Sequence, residues 1–103
     1  MKADLHNHSY YSDGVMSPSE LVGLASEAEC DLFSLTDHDT TDGIEEAQLE
    51  ADKLKIHLIN GVEISAFWRS RAIHILGVGI DIKSDILQNG LAHNKNLRKE
   101  RAE

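Results

Sequence analysis

At 103 residues, 41% of them hydrophobic, the chain has material for one domain at most and a modest core. It contains no apolar run of the ~18 residues a membrane helix needs and no basic leader before an apolar stretch. Neither a membrane segment nor a signal peptide is therefore read, and the cytoplasm is the expected compartment. A formal charge of -8 excludes a general electrostatic grip on nucleic acid, whose phosphates are held by Lys and Arg.

The elements alternate along the chain. "KADLH" reads as a short strand, and it runs directly into "NHSYYSDG". If the strand continues, its period of two points His6 and His8 to one side, just before an Asp-Gly turn at Asp13. "SPSELVGLASEAE" reads as a helix: Ser17 caps it, Pro18 fits its first turn, Glu20 completes a capping box, and Leu21, Leu24, Ala25 and Ala28 form its apolar stripe. Cys30, the single cysteine, rules out an internal disulfide and reads as a small buried residue before the strand "DLFSLT".

A second helix is expected from Gly43 to Leu54, capped by Asp42, with Ile44, Ala47, Leu49, Ala51 and Leu54 on its apolar side. "KIHLING" then reads as a strand, followed by "VEISAFW" and, across "RSR", by "AIHILGVGI". The last segment is expected to be a helix capped by Ser84, with Ile86, Leu87, Leu91 and Leu97 at helical spacing. Strands separated by helices imply an α/β fold with parallel pairing through right-handed crossovers, and ligands at the carboxyl ends of the strands.

Metal-type residues fall at those ends: His6 and His8 with Asp13, then His38 amid Asp37, Asp39 and Asp42, then Glu63, then His74 inside "AIHILGVG". Singly each has an ordinary explanation, a surface histidine pair, a capping loop, an edge-strand glutamate and a hydrogen-bonded core histidine. Together, four successive strand signals deliver such a residue to one edge of one sheet. A shared cluster of divalent cations would satisfy them all, and its charge would let an acidic protein hold a phosphate. His57 and His93 lack this context. Asp4 is a candidate acceptor for the His6 imidazole, as Asp37 and Asp39 are for His38, although both could equally be solvated loop carboxylates. Arg98 and Arg101 share a helix face and either meet a substrate phosphate or form a solvated helix end. No extended nucleic-acid surface is readable, though Tyr10, Tyr11, Phe67 and Trp68 lie near the predicted metal edge.

"DLHNHSYYSDG", "LTDHDT", "GVEIS" and "IHILGVGID", in that order, resemble the N-terminal part of the PHP (polymerase and histidinol phosphatase) domain, a distorted (β/α)7 barrel of metal-dependent phosphoesterases. The form of the motifs is most similar to the TrpH/YciV-like branch of nucleoside 3′,5′-bisphosphate phosphatases and RNase AM-like 5′-to-3′ exonucleases. The resemblance implies that His6, His8, Asp13, His38, Glu63 and His74 ligate two or three divalent cations, manganese first with zinc or iron as alternatives, and that Glu63 bridges them. The implied reaction is hydrolysis of nucleotide or RNA 5′-end phosphate esters by a metal-activated water. The alternatives are a histidinol-phosphatase-like activity on a small metabolite or a catalytically incomplete metal-binding module. The family's remaining histidine ligand and its closing Asp-x-His pair have no counterpart within residues 1–103, and a barrel of this kind needs roughly 200 to 250 residues. The whole chain is accordingly expected to be one partial PHP domain, the C-terminal part of the barrel being absent.

Overall fold

Ser17 starts the first helix as expected. Its Oγ accepts from Glu20 N at 3.1 Å while Ser17 N donates to Glu20 Oε1 at 3.2 Å, so two backbone donors at the helix start are satisfied reciprocally. A computed structural model describes residues 2–68 and 71–102, and in it this helix, α1, spans Pro18–Glu27. Its buried face is Pro18, Val22 and Ala25; of the expected stripe, Ala25 is buried and Leu21 packs partly buried against the core, while Leu24 and Ala28 do not face inward. Leu24 and Ala28 are exposed, because the inward stripe centres on Pro18, Val22 and Ala25, four and three residues apart, and Leu24 and Ala28 lie away from it.

The second helix, α2 (Ile44–Leu54), packs against α1 through Ile44, Ala47 and Ala51. Leu49, 62% exposed, and Leu54 turn outward, which corrects its predicted apolar side. Its N-cap is Gly43 without a side-chain hydrogen bond, so Asp42 is not the cap. Asp42 N donates instead to Thr40 Oγ1 at 3.1 Å, and its carboxylate faces Lys95 Nζ at 3.3 Å. The helix pair covers one face of three short parallel strands, β1 (Ala3–Asp4), β2 (Leu32–Phe33) and β3 (His57–Leu58), in that spatial order. Val22, Ala25, Cys30, Phe33, Leu35, Ile44, Ala47, Ala51, Ile56 and Leu58 form the core between these layers, Cys30 being buried as expected.

Up to β3 the parallel α/β alternation is as predicted. The next two strands depart from it: β4 (Gly61–Trp68) and β5 (Arg71–Val78) form an antiparallel hairpin with Ser65 opposite His74. The physical reason is the connection, since a parallel crossover needs a dozen or more residues and "RSR" is far shorter. The expected single sheet edge is therefore a junction of two sheets. At that junction β4 begins parallel to the chain that follows β2, with Glu63 N donating to Asp37 O at 3.0 Å and Asp39 N to Glu63 O at 2.9 Å.

The third helix, α3 (Asp85–Ala102), is capped by Ser84, whose Oγ accepts from Leu87 N at 3.3 Å. Leu91 is buried, whereas Ile86 is exposed and contributes nothing to the core. Among the described residues no helix is long and apolar enough to cross a membrane. The side chains of Phe67, Trp68, Arg98 and Arg101 lie outside the described residues.

Candidate metal centre

β1 ends at Asp4, yet the alternation that aims His6 and His8 to one side continues past it. Asn7 between them is pinned to the neighbouring chain, its N donating to Thr36 Oγ1 at 3.1 Å and its O accepting from Thr36 N at 2.8 Å. Its side chain turns the other way, and Nδ2 donates to Asp4 Oδ1 at 3.0 Å and Ser34 O at 3.1 Å. Asp4 thus holds Asn7, and the expected Asp4–His6 hydrogen bond is not made among the described residues.

The chain then doubles back. Ser12 N and Gly14 N both donate to Ser9 O, at 3.1 and 2.9 Å. A Cβ on Gly14 would stand 2.2 Å from His8 O, so only glycine permits a turn this tight. The turn returns Asp13 to the histidines, with Oδ1 2.9 Å from His8 Nδ1 and Oδ2 3.0 Å from His38 Nε2.

Asp37 and Asp39 are buried rather than solvated, at 1% and 0% exposure. Asp37 anchors the turn by accepting from Ser9 N, from Ser9 Oγ at 2.6 Å and from Ser12 Oγ at 2.8 Å. Asp39 accepts from Ser65 N at 2.8 Å and ties the His38 loop to β4. Both stabilise the backbone that carries the imidazoles: Asp37 accepts from backbone and hydroxyl donors, and Asp39 from Ser65 N and from the Asn94 amide.

Glu63 lies at the middle of the cluster. His6 Nε2 is 2.7 Å and His8 Nε2 3.5 Å from its Oε1, and His38 Nδ1 is 2.8 Å and His74 Nδ1 3.2 Å from its Oε2. His74 reaches it diagonally across the hairpin, because it pairs with Ser65, two residues on and on the same face. It is half exposed and aimed at Glu63, not a core histidine. The side chains of Glu63 and His38 form a floor, each 7% exposed, and His6, His74 and Asp13 an open rim.

Burial pushes the Glu63 carboxyl up, but the His6 hydrogen bond and the nearby His38, His8 and His6 imidazoles outweigh it and hold Glu63 below the ordinary carboxylate range. Burial likewise raises Asp13, and His38 and His8 outweigh it. A carboxylate with a depressed folded pKa adds stability that is full above its unfolded value, about 4, and is lost as pH falls through the lower folded value. Urea unfolding of the metal-free protein is therefore expected to show stability falling below about pH 4, with a shallower fall in Glu63→Gln. An unchanged slope in that variant would contradict the pairing.

The six residues form three overlapping triads, His6–His8–Glu63, His8–Asp13–His38 and His38–Glu63–His74, with donor atoms of each within 4.8 Å of one another. His8 Nε2 and His38 Nδ1 are buried and lack a hydrogen bond among the described residues although Glu63 oxygens are close, since the contact is not aligned for one. A buried nitrogen left without a partner is costly, and a cation held among nitrogen and carboxylate donors removes that cost. The residues fit a divalent metal.

Beside His38 opens a cleft of about 280 Å³ lined also by Tyr11, Ser12, Thr40 and Lys95. Sequence reasoning did not single out Asn7, Ser9, Ser12 or Lys95 as part of this region. Serine, asparagine and an isolated lysine carry no periodic or spacing signal that would have marked them.

The PHP domain profile matches residues 4–98. The chain belongs to the PHP domain family. It is 46% identical to a 5′-3′ exoribonuclease of Haemophilus influenzae, with 98% of this chain and 37% of the relative covered. It is 42% identical to a 3′,5′-nucleoside bisphosphate phosphatase of Chromobacterium violaceum, covering 96% of this chain and 35% of that protein. An amidohydrolase structure from Chromobacterium violaceum, solved with bound sulfate and no metal, superposes with a TM-score of 0.94 at 41% identity over 99% of this chain and 36% of that one. The chain therefore spans 35 to 37% of the length of these three relatives.

Proposed function

We propose that this PHP chain carries metal ligands of a phosphoesterase that hydrolyses phosphate esters of nucleotides or RNA 5′ ends. The observation that carries the reading is Glu63, one nearly buried carboxylate touched by four imidazoles, with Asp13 closing a second carboxylate against His8 and His38. Support for the substrate class comes from relatives named as a 5′-3′ exoribonuclease and a 3′,5′-nucleoside bisphosphate phosphatase.

His6, His8, Asp13, His38, Glu63 and His74 would hold two or three divalent cations, manganese, zinc or iron being compatible with these donors. Bound there, such ions supply Lewis-acid polarisation of phosphoryl oxygens and a water acidic enough to be hydroxide near neutral pH. The chain's own contribution is placement. Asp37 and the Ser9–Gly14 turn hold Asp13 and His8 together, and the buried floor of His38 and Glu63 keeps solvent from the inner face of the cluster. The open rim leaves the side of His6 and His74 accessible to substrate. Cys30 lies in the hydrophobic core and takes no part. Arg98 and Arg101 remain proposed phosphate contacts, and the cytoplasm the proposed compartment.

The test is hydrolysis by the full-length protein, with manganese, of a nucleoside 3′,5′-bisphosphate, a short 5′-phosphorylated RNA and histidinol phosphate. Turnover of the first or second is expected, lost on chelation and restored by added manganese. Turnover of histidinol phosphate alone would overturn the nucleotide reading, and no turnover by metal-loaded protein would overturn the esterase.

A further inference from the structure

Asn94 stands on α3, far in sequence from every candidate ligand, yet its amide reaches two of the segments that carry them. Nδ2 donates to Asp39 Oδ1 at 3.0 Å and to Ser65 O at 2.9 Å. Asp39 directly follows His38 and sits fully buried with φ 54, a left-handed conformation that a non-glycine residue keeps only when its surroundings hold it. Ser65 lies two residues from Glu63 on the same face of β4 and pairs with His74 across the hairpin. One amide group thus bridges the Asp39 carboxylate and the Ser65 carbonyl, which adjoin His38, Glu63 and His74, the three members of one triad. The same side of α3 is seated on the His38 loop at other points. Leu91 is buried, Gln88 Nε2 donates to Thr41 Oγ1 at 3.0 Å, and Lys95 Nζ lies 3.3 Å from Asp42 Oδ2.

We infer that Asn94 is a positioning residue for the metal held by His38, Glu63 and His74, an inference that rests on the metal-centre reading above. A primary amide has two N–H donors, and here they go to acceptors on different segments. Removing it takes away two of the bonds that fix the His38 loop against β4 and leaves the bond from Ser65 N to Asp39 Oδ1 and the Glu63 backbone pairing to hold it. His6 and His8, which share Glu63 with that triad, are anchored separately, by the pairing of Asn7 with Thr36.

The test titrates metal-free protein with manganese, reading free ion by electron paramagnetic resonance, alongside thermal unfolding of the metal-free forms. Asn94→Ala is expected to weaken one bound ion by about 10–100-fold, the range over which partners of metal ligands act, and to leave another little changed. Asn94→Asp keeps the shape, removes both donors and sets a carboxylate against Asp39, so it is expected to bind that ion no better than Asn94→Ala. Asn94→Asp binding like the unsubstituted protein would show a space-filling role and overturn the inference. A uniform loss for all ions that follows a lowered Tm would overturn it too, as would equal affinities in Asn94→Ala. Absence of metal uptake by the unsubstituted protein would instead remove the metal centre itself, and the inference with it.

Discussion

Glu63→Gln is expected to abolish both metal retention and turnover while leaving the fold in place. Glutamine matches the volume of glutamate, so the floor under His38 is not emptied. What is lost is the charge on which two of the three triads converge. An amide cannot offer two anionic oxygens, and its NH₂ group would face imidazole nitrogens now packed around Oε1 and Oε2. Because Glu63 is itself a candidate ligand, its loss should exceed the 10–100-fold that a ligand's outer partners cost. Bound metal measured by elemental analysis, turnover under saturating manganese and a thermal melt together decide the matter. A variant that keeps its full metal content and its activity would remove Glu63 from the centre.

Gly61→Ala is expected to damage the same centre from the backbone side. A Cβ there would lie 2.4 Å from Ser34 Oγ, 2.7 Å from Thr36 Cγ2 and 3.2 Å from Gly77 O. Ser34 and Thr36 are themselves buried, so β4 has to move. Forcing an extra methyl into a packed site costs about 1–3 kcal/mol. Glu63 is two residues further along the displaced strand, and its backbone bonds to Asp37 and Asp39 set where its carboxylate meets the histidines. Both lower stability in urea and weaker manganese binding should follow. The double variant Ser34→Gly/Gly61→Ala, which opens space at the closest contact, should recover part of each. Unchanged metal affinity in Gly61→Ala would mean that β4 does not set the ligand geometry.

What the sequence by itself determined is what short-range chemistry encodes. The Ser17–Glu20 capping box, the turn at Gly14, the burial of Cys30 and the parallel alternation through β3 depend on neighbours a few residues apart, and all are formed as the residues require. The spacing of the metal-type residues belongs here too: "HNH", "TDHDT" and "GVE" each set a donor beside a strand, and His74 follows on the return strand. Tertiary structure decided which faces those local patterns present. Leu24 and Leu49 satisfy a helical stripe as well as Val22 does, and only the docking of α1 on α2 turned Val22 inward. Asp37 and Asp39 look like solvated loop acids until Ser9, Ser12 and Ser65 supply donors that make burial tolerable, and Asp42 looks like a cap until Thr40 and Lys95 engage it. Asn94, more than fifty residues from Asp39, carries no local signal at all. A side chain's hydrogen-bond capacity can be read from its type, but its partner is chosen by packing, and packing here joins segments whose separation along the chain leaves no pattern to read.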